Sequence, residues 1–311
     1  MKVLVIGGTR FFGLEVVRML AGRGDEVVVL SRREAPELAE APVRCILGPR
    51  SDRAALEAVG AEAARRPFDA VFDNVAMDAG DVAAILDVLS GRVGQYVLTS
   101  TGSVYFARDH SRPVAEQQWE PHHDLGSLQD EGASPYGLGK RRAERTLHVR
   151  GGEVGSFTIL RPTFIFGPGD PTGRLAWYVN TLLDGMPVGP MEFVSNPVFS
   201  RDAARLVVQV LDSPPPSGRC YNVAGREVVS LRDLCIRIQG ILKIPGPGQA
   251  MPGQPRTPPP MPPEGRFVMD TERLLGELRF EPTPLGSWLE LTAGFIQQER
   301  ERGARALPAR G

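Results

Sequence analysis

The chain has 311 residues, enough for one large α/β domain or two modest ones, and 42% of them are hydrophobic, so a sizeable core can be buried. Its 36 Lys and Arg against 37 Asp and Glu leave a formal charge of −1, without the basic excess of a dedicated nucleic-acid binder. Cys45, Cys220 and Cys235 are too few and too irregularly spaced for a disulfide framework or a zinc site. They read as core or half-buried thiols, and no metal is expected. The first apolar run begins right after Met1-Lys2, and no apolar stretch approaches the ~18 residues of a membrane span. The expectation is a cytoplasmic protein with no leader and no membrane partner.

In chain order, Val3 to Ile6 is a short continuous apolar run of the kind that forms a strand buried on both faces. Phe12, Val16, Val17 and Leu20 then recur at helical spacing until Arg23-Gly24, where glycine closes the helix. Further strands are read at Glu26 to Leu30 and Val43 to Leu47, and Ser51 reads as the N-cap of an alanine-rich helix. Phe68 to Phe72 is a fourth strand, followed by a helix through Leu89. Gln95 to Thr99 is a fifth, Pro135 opens a helix ending near Arg150, and Phe157 to Leu160 is a sixth. Alternating strands and helices imply parallel strands joined by right-handed crossovers, hence an α/β, doubly wound sheet of Rossmann type. After Pro162, glycine and proline become frequent and the alternation stops. The expected division is a Rossmann domain over residues 1–162 and 197–223, with a smaller C-terminal substrate lobe over 163–196 and 224–311. The latter carries a Pro-rich loop at 245–263.

Gly7-Gly-Thr9-Arg10-Phe11-Phe12-Gly13 follows the first strand and opens the first helix. In that context glycines let the backbone approach a pyrophosphate, and the helix N-terminus offers it free N–H groups. Gly13 allows close helix–strand packing. Arg10 stands where this pattern usually has its middle glycine. The second strand ends Leu30-Ser31-Arg32-Arg33, with no carboxylate to accept from a ribose 2′-OH. Arg10, Arg32 and Arg33 could instead hold a 2′-phosphate by charge-assisted bonds, so NADP is expected in preference to NAD. The alternative is that they are solvated surface arginines.

Tyr136 and Lys140 in Ser134-Pro-Tyr-Gly-Leu-Gly-Lys140 lie at i and i+4, on one helix face. A phenol near pKa 10 is a poor base at neutral pH, and a neighbouring ammonium is expected to lower it. The pair therefore reads as a proton-transfer device beside a hydride-exchanging cofactor. Thr99-Ser-Thr101-Gly-Ser103-Val-Tyr105, at the end of the fifth strand, supplies candidate hydroxyls where open parallel sheets gather their active groups.

These pieces, with Arg161-Pro-Thr-Phe-Ile-Phe-Gly-Pro168, Arg201-Asp-Ala-Ala204, Tyr221-Asn-Val223 and Leu278-Arg-Phe-Glu-Pro282 leading to Leu285 and Trp288, resemble the extended short-chain dehydrogenases/reductases, also called the NAD-dependent epimerase/dehydratase family. The variant Gly-Gly-Thr-Arg-Phe is most similar to an atypical branch containing the chloroplast stem-loop-binding proteins and bacterial relatives. The resemblance implies that Thr101 bonds the substrate oxygen, that Tyr136 is the acid/base, and that Lys140 binds the nicotinamide ribose and tunes Tyr136. It places Asn74, Ala76, Pro162 and Thr163 near the cofactor. Gly102 and Ser103 replace the Asp-Glu pair of the sugar dehydratases. The family's adenine-binding acid is missing after the third strand, where Gly48-Pro-Arg50 stands, with Asp52 as a doubtful substitute.

Ser103, Arg174 and Tyr178 are candidate substrate contacts, the last two at the start of a helix in the second lobe. The long polar stretch 106–133, with His122, His123 and Asp124, reads as a lid rather than a metal site. Arg201 and Asp202 read as a structural pair, and Arg141-Arg142 as a solvated helix face. Three functions follow: an NADP-dependent enzyme that reduces a ketone or oxidises an alcohol of a small polar substrate, an NAD-retaining epimerase of a nucleotide-linked sugar, or a non-redox RNA-associated or scaffold protein. Nucleic-acid binding is disfavoured by the balanced charge. The helices around 80–90 and 135–150 are candidates for pairing in a homodimer.

Overall fold

The computed structural model describes residues 1–39, 41–105, 110–121, 134–244 and 260–306. The first half runs β1 (Lys2–Ile6), α1 (Phe11–Gly22), β2 (Glu26–Ser31), β3 (Val43–Leu47), α2 (Arg53–Arg65), β4 (Phe68–Asp73), α3 (Ala79–Leu89), β5 (Val93–Thr99), α4 (Pro135–Arg150) and β6 (Ser156–Pro162). Then come β7 (Ile165–Phe166), α5 (Arg174–Leu183), β8 (Val194–Ser195), β9 (Val198–Phe199), α6 (Ser200–Asp212) and β10 (Arg219–Val223). The chain ends with β11 (Val229–Ser230), α7 (Leu231–Leu242), β12 (Arg266–Phe267), α8 (Glu272–Glu277) and α9 (Leu285–Ala306).

Seven parallel strands form the central sheet in the order β10-β6-β5-β4-β1-β2-β3. Side chains alternate across a strand, so β1 sends Val3 and Val5 to one face, against α1 and α6, and Leu4 and Ile6 to the other, against α2, α3 and α4. That two-sided burial is why the sequence of β1 is continuously apolar. β3 is an edge strand and leaves Cys45 exposed, against the reading of that thiol as core or half-buried, whereas Cys220 and Cys235 are buried. The alternation also continues past Pro162: α6 returns the chain to β10, which pairs with β6 as the seventh strand. A second core lies under α5, α7, α9 and two small sheets, β11-β8-β12 and β7-β9.

Several local readings are corrected. Asp52, not Ser51, caps α2, accepting from Ala54 N at 3.0 Å. Asp202 pairs with Arg205 at 2.7 Å and accepts from the Thr283 hydroxyl and N–H, while Arg201 is exposed. α3 and α4 pack on one another within the chain. Arg141 is not solvated: it is fully buried, donates Nε to the Val104 carbonyl at 2.7 Å and lies 4.7 Å from the Trp119 ring centre. Arg142 does face outward, paired with Asp78. Within the stretch read as a lid, the segment 110–121 docks on the body of the protein through the buried Val114, Glu116 and Trp119, while Ser111, Arg112, Pro113 and Gln117 are exposed. His122, His123, Asp124 and residues 245–259 of the Pro-rich loop lie outside the described residues.

One buried polar cluster joins the two cores. Arg161 on β6 and Glu144 on α4 form a fully buried ion pair with contacts of 2.7 and 2.9 Å. Glu144 also accepts from Ser100 Oγ and from Trp119 Nε1, the latter at 2.8 Å. Arg161 donates to the Tyr105 hydroxyl at 2.7 Å and to the Glu116 carbonyl at 3.2 Å. Tyr105 in turn donates to Asn222 Oδ1 on β10 at 2.8 Å. Removing one partner strands a charge in the interior. Arg161→Met or Glu144→Gln should each lower the unfolding free energy by roughly 3–5 kcal/mol. Arg161→Met with Glu144→Leu together should cost less than the sum of the single changes, as read by urea denaturation.

Candidate active site

The strand order reverses between β1 and β4, and in sheets of this kind the crevice outside the C-terminal strand ends at such a reversal is where ligands bind. β1 runs into Gly7, whose φ of +87° suits glycine and whose missing side chain leaves room for Val75. A Cβ on Gly13 would run into the Gly7 carbonyl and lie 2.9 Å from Asn74 Nδ2, so α1 can close on the turn only with glycine there. Arg10 is the extended N-cap residue of α1 and makes no side-chain cap. Its backbone therefore tolerates arginine at the usual glycine position, and the free N–H groups of the first turn remain for a ligand. Phe11 carries the left-handed conformation instead, with φ of +50°, which costs a non-glycine residue on the order of 1 kcal/mol. Phe11 and Phe12 meet edge-on, and the buried Phe12 ring anchors the turn against Phe72.

At the end of β2, Ser31 and Thr9 are buried and share a hydrogen bond of 3.1 Å, and Arg33 N donates to Ser31 Oγ. Arg10, Arg32 and Arg33 are exposed, and none of the three side chains has a hydrogen bond or ion pair among the described residues. At the end of β4, Asp73 is fully buried and accepts from Arg50 at 2.6 and 2.9 Å, from Tyr96 Oη at 2.6 Å, and from the N–H groups of Val75 and Ala76. Burial pushes the carboxyl upward, but Arg50 and these hydrogen bonds outweigh it and hold Asp73 below its ordinary range. Arg50, which the sequence reading left without a role, thus fixes the loop carrying Asn74 and the buried Ala76. Asp52, the doubtful adenine-binding substitute, spends its carboxylate on the α2 cap.

α4 begins at the Ser134 cap, with Pro135 in its first turn, and closes on the strand ends through Gly137 and Gly139. Added side chains there would strike the carbonyls of Ser103 and Met77. Tyr136, 42% exposed, has the Thr101 hydroxyl near its own, and the buried Thr101 donates to Ser103 Oγ at 3.3 Å. Lys140 is buried, donates to the Thr99 carbonyl at 2.8 Å and lies 5.9 Å from the Tyr136 ring centre. Burial pushes the Lys140 ammonium down to about 8, partly opposed by Asp73. Burial pushes Tyr136 up, opposed by the nearby Thr101 hydroxyl and the Arg174 charge. This corrects the expectation that Lys140 pulls Tyr136 down: the lysine is itself desolvated and aimed at a carbonyl.

Gly102 lies under the second lobe. A Cβ there would sit 2.7 Å from a Phe267 ring carbon and 3.1 Å from Met269 Sδ. The aspartate of a dehydratase-type pair has no room at this position. Arg174 opens α5, half-buried, with its guanidinium 5.8 Å from the Phe164 ring centre. Tyr178, one turn on, is 1% exposed within the second core and does not reach the crevice surface. Pro162 ends β6, and Thr163 N bonds the Val223 carbonyl. Three buried side-chain oxygens without a hydrogen-bond partner among the described residues, Asn74 Oδ1, Thr99 Oγ1 and Thr163 Oγ1, lie at the C-terminal ends of β4, β5 and β6. Buried polar atoms are normally satisfied, so this row fits an incoming polar ligand such as a nicotinamide and its ribose. Thr99 had no signal in the sequence beyond its place at a strand end.

A parallel sheet in this order, with an open glycine turn at its switch point and a Thr-Tyr-Lys set beside it, defines the extended short-chain dehydrogenase/reductase class. Residues 3–224 match the NAD dependent epimerase/dehydratase family. The chain belongs to that family, and with it to the NAD-dependent enzymes of this fold. It is 26% identical over 246 residues to the chloroplast stem-loop binding protein of 41 kDa b of Arabidopsis thaliana, covering 75% of this chain but only 61% of that relative. It is 28% identical over 327 residues to a dTDP-4-dehydro-6-deoxy-D-allose reductase of a Streptomyces species, covering 95% and 96%. The UDP-glucose 4-epimerase of Thermotoga maritima, solved with UDP-glucose, superposes with a TM-score of 0.76 at 19% identity over 96% of this chain and 100% of that one. Among the described residues no helix is long and apolar enough to cross a membrane.

The buried lysine makes stability pH-dependent. Between its folded value of about 8 and the ordinary 10.5, the unfolded chain holds the Lys140 proton and the folded chain does not, so stability rises with pH there. Relative to Lys140→Met, the cofactor-free protein should gain on the order of 2–3 kcal/mol across that window in urea unfolding.

Proposed function

We propose that the protein is an NADP-preferring oxidoreductase that reduces a carbonyl of a small polar substrate, with Tyr136 as proton donor. The observation that carries this reading is the Thr101 and Tyr136 hydroxyls set near one another on the strand-end side of α4, beside the row of unsatisfied oxygens among the described residues. The bound nicotinamide would supply hydride to the carbonyl carbon. Thr101 would hold the carbonyl oxygen and Tyr136 would deliver the proton to it. Because burial raises Tyr136, the phenol stands protonated at neutral pH, the form that reduction needs. Lys140 would hold the nicotinamide ribose and resupply the proton, and its value of about 8 leaves it able to give one up near neutrality.

Gly7, Thr9, Arg10, Phe11, Phe12 and Gly13 would form the pyrophosphate turn, with Asn74, Ala76, Pro162 and Thr163 around the nicotinamide half. Ser31 in place of a carboxylate, with the free guanidinium groups of Arg10, Arg32 and Arg33, supports a 2′-phosphate and hence NADP. The Streptomyces relative supports a nucleotide-linked sugar as substrate. Ser103, beside Thr101, would contact it. A cytoplasmic setting and a homodimer through the outer faces of α3 and α4 belong to the same proposal, supported by the family resemblance. The epimerase reading draws on the likeness to UDP-glucose 4-epimerase and requires a retained NAD.

The cofactor decides among them. The purified protein is denatured and any released nucleotide identified by mass spectrometry, and the rest is titrated with NADPH and NADH by nicotinamide fluorescence. An exchanging site that prefers NADPH is expected. NAD retained near one per chain would establish the epimerase reading, and binding of neither would leave the RNA-associated one. Changing Arg32 and Arg33 together to Ser should weaken NADPH by roughly tenfold or more while sparing NADH. Tyr136→Phe should retain NADPH binding and lose roughly 10²-fold or more in turnover.

A further inference from the structure

The arginines around the crevice fall into two groups. Arg50, Arg141 and Arg161 have acceptors: Asp73, the Val104 carbonyl and Glu144. Arg174 has none. Its side chain makes no hydrogen bond or ion pair among the described residues, and its guanidinium lies 5.8 Å from the Phe164 ring centre. A guanidinium carries five N–H donors and stays charged, so a half-buried one without acceptors is a site in search of an anion.

Its place in the fold says which anion. Phe164 follows directly on Pro162-Thr163 at the end of β6. The Phe164 ring meets Phe267 edge-on at 6.4 Å, and Phe267 lies against Gly102, between Thr101 and Ser103. Arg174, two aromatic rings and the Thr101-Gly102-Ser103 turn thus form one continuous wall. The Arg174 charge is also felt at the Tyr136 hydroxyl. An anion on Arg174 would therefore lie close to the point where Thr101 and Tyr136 converge.

We infer that Arg174 binds an anionic group of the substrate, a carboxylate or a phosphate, placed within a few atoms of the reacting carbonyl, with Phe164 and Phe267 forming the apolar floor between them. This rests on the oxidoreductase reading for what the reacting group is, but the anion site can be tested apart from it. Arg174 is then a specificity residue: it selects charged substrates over neutral ones of the same shape, because a neutral ligand leaves its donors unmet.

The test is calorimetric titration of the full chain saturated with NADP+, which fills the Arg10, Arg32 and Arg33 end of the crevice and allows no reduction. The probes are acetoacetate, its neutral methyl ester, and inorganic phosphate. One of the two anions should bind, and the ester should bind roughly tenfold more weakly than acetoacetate where the carboxylate is the ligand. Tighter acetoacetate points to an oxo acid, and tighter phosphate to a phosphorylated or nucleotide-linked substrate. Arg174→Gln should lose roughly tenfold or more for the anion and erase any difference between acid and ester. Arg174→Lys should recover part of it as a point charge without the planar fork. Equal anion binding by wild type and Arg174→Gln, or no anion binding by wild type up to about 50 mM, overturns the inference. The same titrations on cofactor-free protein separate the two claims. An Arg174-dependent anion site in a chain that binds neither NADP+ nor NAD+ sinks the oxidoreductase reading and leaves the anion site standing.

Discussion

The ion pair between Arg161 and Glu144 lies wholly out of solvent, and β6, α4, the turn at 100–105 and the segment at 116–119 all donate to it or accept from it. Burying two charges is expensive, and their attraction repays it only when the remaining donors and acceptors are also met. Here they are met by Ser100, Trp119, Tyr105 and the Glu116 carbonyl. Such a cluster tolerates few alternative packings. Glu144 lies one helical turn beyond Lys140 and two beyond Tyr136, so the face that it anchors is the face that carries the proposed acid. The polar core thereby sets the rotation of α4 against the strand ends, a task that apolar packing performs with less directionality.

Close backbone approach completes the placement. Gly13, Gly137 and Gly139 each stand where a side chain would meet a carbonyl or be pressed against Asn74, so α1 and α4 come nearer to the strand ends than other residues would allow. Gly102 answers to a different constraint, the Phe267 ring of the second lobe. The same contact that excludes an aspartate from that position joins the lobe to the Thr101 turn. The absence of an aspartate at position 102 and the shape of the wall beside Thr101 therefore have one cause.

The strands and helices of the first half were legible because two-sided burial gives a continuous apolar run and one-sided burial gives a helical period. Tyr136 and Lys140 were legible because their spacing means one face of a helix, and Arg10, Arg32 and Arg33 because they sit where a carboxylate or glycine is usual. The long-range polar pairs were not. Arg50 is 23 residues from Asp73, and Arg161 is 17 from Glu144, and no local pattern marks such partners. A charged residue read alone looks solvated, which is why Arg141 was misplaced: its acceptor is a carbonyl 37 residues away. Tyr178 failed because its i, i+4 spacing from Arg174 gives a shared face of α5 but does not reveal that the second core closes over it. Asp52 displaced Ser51 as the cap because either residue can accept from the first turn, and the sequence does not say which residue takes the extended conformation.

Net charge hides what matters electrostatically in this molecule. The formal −1 is the sum of many internal pairings, and what a ligand meets is the remainder. Near Lys140, Asp73 raises the lysine's pKa and Arg50 lowers it, so their opposition leaves burial as the dominant influence and the ammonium weakened. Among the described residues, guanidinium groups remain unpaired around the crevice at two places, Arg10 at the α1 cap with Arg32 and Arg33 beyond β2, and Arg174 at the start of α5. Between them lie the open helix end and the unsatisfied strand-end oxygens. That arrangement suits a ligand pair with anionic ends and a neutral reacting centre, in which the cofactor's phosphates and the substrate's anion are held apart while hydride and proton move in the uncharged middle.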